Sequence, residues 1–406
     1  MAVSRIDIQT FLSFNFQYPV IDVRSEGEYE HARIPGAISM PLFNNEERKV
    51  VGTVYKQQSK QEAIKIGLAL FGKKMVQMVE TVEQILQDQQ KDPEKTGAKT
   101  VVVHCWRGGM RSGGVAWLLD MYGFKVYTII GGYKAFRKWG LEQFTKDYNI
   151  NVIGGYTGSG KTFVLHEIKR LNGTVIDLED LAKHKGSAFG NIGMPKQPSQ
   201  EMFENMLALE LYKAAQKCYT KVDSSLMTGD SEGENASQGT NNHYETGFAT
   251  KITASTLNSS IVNNYSSNDI WVEDESQRIG LVNIPTALYN NIRNKPVFFL
   301  EVPLEERLKH ILSEYGNGDK EELKSAILRI QKRLGGLETK TALNQLDDNM
   351  EECFRILLHY YDKQYLKGLH KRERLDQQLI KVECETVDAE KNARLIIAQE
   401  LDKIHV

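Results

Sequence analysis

Thr100-Val101-Val102-Val103-His104-Cys105-Trp106-Arg107-Gly108-Gly109-Met110-Arg111-Ser112 is the stretch from which the fold can be read. The apolar run at its start shows no polar alternation, so it predicts a strand buried on both faces, as in a parallel sheet. The run empties into Cys105, a glycine-rich turn follows, and Ser112 to Tyr122 reads as a helix. Parallel strands need crossover helices, so this strand–turn–helix unit belongs to an alternating α/β domain. Two further strands fit the same domain: Tyr18 to Val23, ending in Asp22 and Arg24, and Lys125 to Ile130, closed by Gly131-Gly132. Together they predict a parallel α/β domain over residues 1–145.

The same stretch carries chemistry. A cysteine where a strand meets a glycine-rich turn and a helix N-terminus sits among converging N–H groups, which favour thiolate over thiol. Arg107 and Arg111 add positive charge nearby, so Cys105, Arg107 and Arg111 are the candidate catalytic residues. A thiolate so held is a nucleophile for sulfur, selenium or phosphorus. The competing reading is a structural buried cysteine. The other cysteines, Cys218, Cys353 and Cys384, lie far apart with no C-x-x-C pair, so neither a disulfide framework nor a zinc site is suggested.

A second α/β unit begins at Asn151–Gly154 and runs into Gly155-Tyr156-Thr157-Gly158-Ser159-Gly160-Lys161-Thr162. This is a full G-x-x-x-x-G-K-[ST] match, with a strand before it and a helix from Lys161 to Leu171 after it, the context the motif requires. Gly155, Gly158 and Gly160 let backbone N–H groups wrap a polyphosphate, Lys161 neutralises it, and Thr162 can bind Mg²⁺. Further strands are expected at Thr174–Asp177, Ile270–Glu273 and Val297–Val302. The acidic strand end Glu273-Asp274-Glu275 makes Glu273 and Asp274, with Thr162, the candidate Mg²⁺ ligands, and Asp177 has similar standing. The motif specifies phosphate binding, not hydrolysis.

A helix is expected at Gln200–Cys218. Residues 223–269 are dominated by Ser, Asn, Thr and Gly, too polar to offset the entropy of ordering, and read as a disordered insertion in the second domain. From about Glu305 the pattern is helical and charged. The organisation expected is thus 1–145, a P-loop α/β domain over 146–338, and a helical C-terminal region over 339–406.

Asp22-Val23-Arg24, Glu28-Tyr29, Ile34-Pro35-Gly36-Ala37 and the Cys105 loop together resemble the rhodanese homology domain. Five residues separate Cys105 from Arg111, one more than in typical sulfur-transferring rhodaneses, and this loop resembles that of the cell-cycle dual-specificity phosphatases. A phosphatase fused to a P-loop kinase-like domain is therefore one alternative, and a non-catalytic adaptor whose P-loop senses nucleotide is another.

The order of motifs narrows the choice. Cys105-Trp106-Arg107-Gly108-Gly109-Met110-Arg111-Ser112 followed by the P-loop, then His184–Gly190, Gln197–Gln200, Phe203-Glu204-Asn205, Trp271–Gly280 and Arg333–Leu337, resembles the tRNA 2-selenouridine synthases over nearly the whole chain except 223–269. The resemblance implies a transferase that replaces sulfur by selenium in wobble 2-thiouridine. Selenophosphate would be the donor, and a geranylated intermediate made from geranyl diphosphate would turn the sulfur into a leaving group. It implies a tRNA partner, a selenophosphate supplier, and Arg278 as a further phosphate-binding residue. Lys371-Arg372-Glu373-Arg374 and Lys324–Arg333 are the candidate tRNA surface, each also readable as a solvated helix face.

Bulk properties agree. A chain of 406 residues expects two or three domains. No run approaches the about 18 apolar residues of a membrane helix. Met1 to Val23 shows no basic segment followed by an apolar one, so no export signal is expected. A net charge of -2 argues against non-specific coating of nucleic acid while allowing a local basic face. Cytoplasmic localisation in a reducing compartment is the expectation.

Overall fold

The structure, a computed structural model, describes residues 3–89, 99–227, 269–316 and 318–404. Its contacts group Met1–Thr145 with Pro198–Leu209, and Lys146–Gln197 with Glu210–Val406.

The first unit holds a five-stranded sheet: β1 (Ser4–Ile6), β2 (Val20–Asp22), β3 (Ile38–Ser39), β4 (Thr100–His104) and β5 (Lys125–Ile129). The order is β1-β5-β4-β2-β3, parallel throughout. Val101, Val103, Ile21 and Val126 bury against Val115, Ala116 and Leu119 of helix Met110–Tyr122, so the apolar run of β4 is covered as a parallel strand must be. Register places Asp22 opposite His104, which levels the carboxyl ends of β2 and β4 and brings Arg24 and Cys105 out side by side. Three helices, Asn45–Gln57, Lys60–Gly72 and Met75–Gln89, separate β3 from β4.

Pro198–Leu209 joins this unit although the chain reaches it only after the P-loop. Phe203 is fully buried there, and the equally buried Asn205 donates to the Arg33 carbonyl at 3.0 Å and the Tyr133 hydroxyl at 2.8 Å. Tyr133 in turn donates to Glu201 at 2.5 Å.

The second unit holds β6 (Ile150–Gly155), β7 (Thr174–Ile176), β8 (Ile270–Glu273), a short antiparallel pair of β9 (Arg278–Ile279) and β10 (Val282–Asn283), β11 (Val297–Glu301) and β12 (Leu379–Glu383). The main sheet runs β12-β11-β6-β8-β7, again all parallel. β6 comes first in the chain yet lies in the middle, with β7 and β8 on one side and β11 and β12 on the other. The carboxyl end of β6 is therefore a topological switch point, where open α/β sheets leave a crevice for ligands. Helices Leu304–Tyr315, Lys320–Leu334, Gly336–Asp348 and Met350–Leu369 build their own apolar cluster around Leu323, Ile327, Leu346 and Leu357. The helical C-terminal region closes on this unit, with β12 as its edge strand.

Helix Gln200–Met227 continues past Cys218, so residues 223–227 of the expected insertion are helical. Residues 228–268 of it lie outside the described residues. Among the described residues no helix is long and apolar enough to cross a membrane.

Candidate functional site

Cys105 follows directly on β4 and is 3% exposed. Its Sγ lies 3.2 Å from the Ser112 hydroxyl. Burial pushes the thiol up, but the Ser112 hydroxyl and the amides of Ser112, Gly109 and Arg107 outweigh it, and the group is held below the ordinary thiol value. By contrast, burial alone drives Cys353 up to about 12, and Cys384 is pushed to about 12 as well. All four cysteines are free.

The loop's backbone path depends on glycine. Gly132 has φ +58°, and a Cβ there would sit 2.3 Å from the Cys105 carbonyl oxygen and 2.6 Å from the Gly108 nitrogen. Beneath the loop Arg24 grips Asp22 through Nε at 3.0 Å and Nη2 at 2.6 Å and donates to the Ala32 carbonyl at 2.7 Å. Its guanidinium lies 4.1 Å from the Tyr133 ring centroid. His104 is fully buried, and burial ahead of the opposing pull of Asp22 holds its pKa below the ordinary histidine value.

The two candidate arginines part ways. Arg111 donates to Glu28 Oε2 at 2.8 Å, and Arg48 joins the same carboxylate at 2.9 Å. Its charge is matched by Glu28, so the structure does not present it as the free phosphate-gripping arginine of a Cys-x5-Arg phosphatase. Arg107 is exposed, and its contribution to Cys105 comes through its backbone amide.

In the second unit Gly155, Gly158 and Gly160 all adopt positive φ. At Gly155, φ +147°, a Cβ would also sit 2.6 Å from Ser159 Oγ, so the loop's start admits only glycine. Gly160 precedes helix Lys161–Arg170 without a side-chain cap, so the first-turn amides are available to an anion. Lys161 Nζ donates to the Gly155 carbonyl at 3.0 Å, folded onto its own loop. Thr162 donates to Glu179 at 3.1 Å.

Glu179, Glu273 and Glu275 each offer an oxygen within 4.8 Å of the others. Glu273 is buried, and neither of its carboxylate oxygens has a partner among the described residues. Burial first, and then the neighbouring carboxylates, push Glu273 and Glu275 well above the ordinary carboxylate range, and Glu179 is raised as well. An all-oxygen set of this kind beside Thr162 fits a hard divalent cation such as Mg²⁺. Sequence spacing named Glu273 as a candidate; Glu179 and Glu275, which the structure brings beside it, were not named.

Asp274, the other metal candidate, is occupied otherwise: it accepts from Tyr365 at 2.6 Å and from Arg372 at 2.6 Å. Asp177 accepts the amide of Asp180 at 2.7 Å and lies 2.6 Å from His166 Nε2. Arg278 is exposed on β9, donates to the Gly280 carbonyl at 2.9 Å, and is not among the residues lining the P-loop cavity. Arg372, read as part of a tRNA-facing run, is buried against Asp274, while Lys371 and Arg374 stay exposed. In the other run Lys332 and Arg333 are exposed, but Arg329 donates to the Ala188 carbonyl at 2.7 Å.

The P-loop opens on a cavity of about 1140 Å³. Its polar side carries Lys161, Thr162, Glu179 and Glu275, and Phe189, Leu357, Leu358 and Leu369 give it an apolar wall.

A parallel α/β unit with a cysteine whose thiolate its loop stabilises, carried in one chain with a P-loop unit built at a switch point, defines a rhodanese-like domain fused to a P-loop-like domain. Comparison with known proteins agrees: the rhodanese-like domain family matches residues 11–138, and the family described as tRNA 2-selenouridine synthase AAA domain matches residues 148–232 and 228–389. The tRNA 2-selenouridine synthase of Hydrogenovibrio crunogenus is 31% identical over 387 residues, covering 87% of this chain and 90% of that one. That of Bdellovibrio bacteriovorus is 29% identical over 403 residues, covering 88% and 91%. The chain belongs to the tRNA 2-selenouridine synthase family.

Proposed function

We propose that this chain is an enzyme replacing sulfur by selenium in 2-thiouridine at the tRNA wobble position. Geranyl diphosphate first alkylates the thiocarbonyl sulfur, forming a C–S bond and releasing diphosphate. Selenophosphate selenium then attacks C2 of the base and expels geranyl thiolate, and hydrolysis of the Se–P bond releases phosphate and leaves selenouridine. Cys105 is the residue of this scheme that would serve the selenium-transfer step, its thiolate favoured by Ser112 and the loop amides.

The observation that carries the reading is the cavity's division into two kinds of wall. A polyphosphate loop beside an apolar surface of Phe189, Leu357, Leu358 and Leu369 suits a diphosphate ester of a hydrocarbon. Lys161 and the Gly158–Gly160 turn would hold the diphosphate. Glu179, Glu273 and Glu275 would hold a Mg²⁺ ion, which when bound supplies charge neutralisation to the leaving diphosphate. The phosphatase alternative is weakened because Arg111 is already matched by Glu28.

Nucleoside mass spectrometry of tRNA from cells carrying each variant tests the scheme. Cys105→Ser should abolish selenouridine, and wild-type selenation in that strain would remove Cys105 from the selenium-transfer step. Lys161→Ala should leave 2-thiouridine unmodified, whereas accumulation of geranylated tRNA would move the P-loop to the later step.

A further inference from the structure

One wall of the P-loop cavity carries more positive charge than its carboxylates match. Arg293, at the end of helix Thr286–Arg293, and Arg372, just beyond helix Met350–Leu369, both address Asp274. Asp274 Oδ1 accepts from Arg372 at 2.6 Å but lies 3.9 Å from Arg293, outside hydrogen-bond reach. Its Oδ2 accepts the Tyr365 hydroxyl at 2.6 Å. Among the described residues no other carboxylate forms an ion pair with either guanidinium.

The leftover donors point the same way. Arg372 gives Nη1 to the carbonyls of Arg293 at 2.9 Å and Ile292 at 3.3 Å, and its buried Nε has no partner. Arg293 gives Nη2 to the Gly368 carbonyl at 2.8 Å, and its Nη1 and Nε make no hydrogen bond among the described residues. Burial and the neighbouring charge of Arg372 hold the Arg293 guanidinium below its ordinary pKa. Two guanidiniums sharing one carboxylate out of bulk water are unfavourable unless an anion completes the set.

We infer that Arg293 and Arg372 form a second oxyanion subsite in this cavity, separate from the P-loop, whose ligand is a small phosphate-class dianion. The donors left over, Nε of Arg372 and Nη1 and Nε of Arg293, are charged N–H groups of the kind that bind phosphate oxygens. The ligand's size follows from burial, because the Arg372 side chain is 0% exposed and that of Arg293 18%. An RNA backbone would need cations that stand clear of the surface. Tyr365 ties the two subsites together: its hydroxyl accepts the Gly155 amide at 3.2 Å and donates to Asp274. The domain therefore binds two phosphate-bearing groups at once, which rests on the proposed reading of the P-loop as the diphosphate site and adds a place for a second phosphate.

Isothermal titration calorimetry on the full chain, with Mg²⁺ present, tests this with two probes, inorganic phosphate and pyrophosphate. Phosphate should still bind wild-type protein already saturated with pyrophosphate. Arg293→Gln should weaken phosphate at least about tenfold while leaving pyrophosphate nearly unchanged, and Lys161→Ala should do the reverse. Arg293→Lys, which keeps the charge but not the separate Nη1 and Nε donors, should recover only part of the phosphate affinity. A melting temperature for Arg293→Gln near that of wild type separates lost binding from unfolding, and if that variant is destabilised, Arg293→Lys carries the comparison. Competition of phosphate by pyrophosphate for a single site, or unchanged phosphate affinity in the Arg293 variants, would overturn the inference. Equal displacement of phosphate by chloride would overturn its specificity for phosphate. The failure of selenouridine formation in cells would leave it standing.

Discussion

Replacing Ser112 by alanine should slow Cys105 without destroying the loop that holds it. The Ser112 hydroxyl lies 3.2 Å from Cys105 Sγ and also 3.2 Å from the Gly109 carbonyl oxygen. It has one proton to give. Facing a thiolate it gives that proton to sulfur, a charged hydrogen bond worth about 1.5–3 kcal/mol; facing a thiol it can turn to Gly109, an ordinary bond worth about 0.5–1.5 kcal/mol. The difference, about 1–1.5 kcal/mol, is what Ser112 contributes to thiolate over thiol, equivalent to about a fivefold to tenfold change in the thiolate population. Alanine leaves the opposing burial in place, and the amides of Ser112, Gly109 and Arg107 still favour the anion.

The assay is the iodoacetamide alkylation rate of the Cys105 peptide near neutral pH, read by mass spectrometry. Cys353 and Cys384, both pushed up to about 12, stay silent under these conditions and serve as internal controls. The rate should fall by about fivefold to tenfold in Ser112→Ala and recover in Ser112→Thr, which keeps a hydroxyl. A Ser112→Ala rate equal to or above wild type would refute the assignment of thiolate stabilisation to this hydroxyl.

Asp22→Ala leaves the buried Arg24 without its carboxylate and should cost about 3–5 kcal/mol in urea unfolding of the first unit; a loss below about 1 kcal/mol would mean that the pair is dispensable. Glu273→Gln removes one of three mutually repelling carboxylates, so it should raise the melting temperature of EDTA-treated protein and abolish stabilisation by Mg²⁺; an unchanged Mg²⁺ response would place the ion elsewhere. Gly132→Ala forces a Cβ into the Cys105 carbonyl from a left-handed backbone and should collapse the loop's geometry, seen as a changed Cys105 alkylation rate together with a lower melting temperature.

Both loops were legible because their chemistry is local. An apolar run meeting Cys105 and then Gly108-Gly109, or meeting Gly155 and then Gly158-Ser159-Gly160-Lys161, specifies strand, turn and helix within a dozen residues, and the strands at β4 and β8 fell where the runs predicted. Less was legible where an element owes its place to distant partners. β3 is two residues long and has no pattern of its own, and Pro198–Leu209 reads as part of the second domain because nothing in its sequence announces that Asn205 will bond Arg33 and Tyr133.

The candidate site divides along the same line. Sequence alone located the candidate nucleophile, the glycine-rich loop before Lys161 and the parallel character of both sheets, since glycine conformations, helix starts and apolar periodicity act between neighbours along the chain. Only the tertiary structure decided which charges face which. It set Glu179, just past β7, beside Glu273 and Glu275 at the end of the neighbouring β8, turned Asp274 to Tyr365 and Arg372, gave Arg111 to Glu28, and left Arg278 outside the cavity. The physical reason is that side-chain electrostatics act through space over a few ångströms, while the residues brought into that range are separated in sequence by 83 positions for Arg111 and Glu28 and by 98 for Arg372 and Asp274.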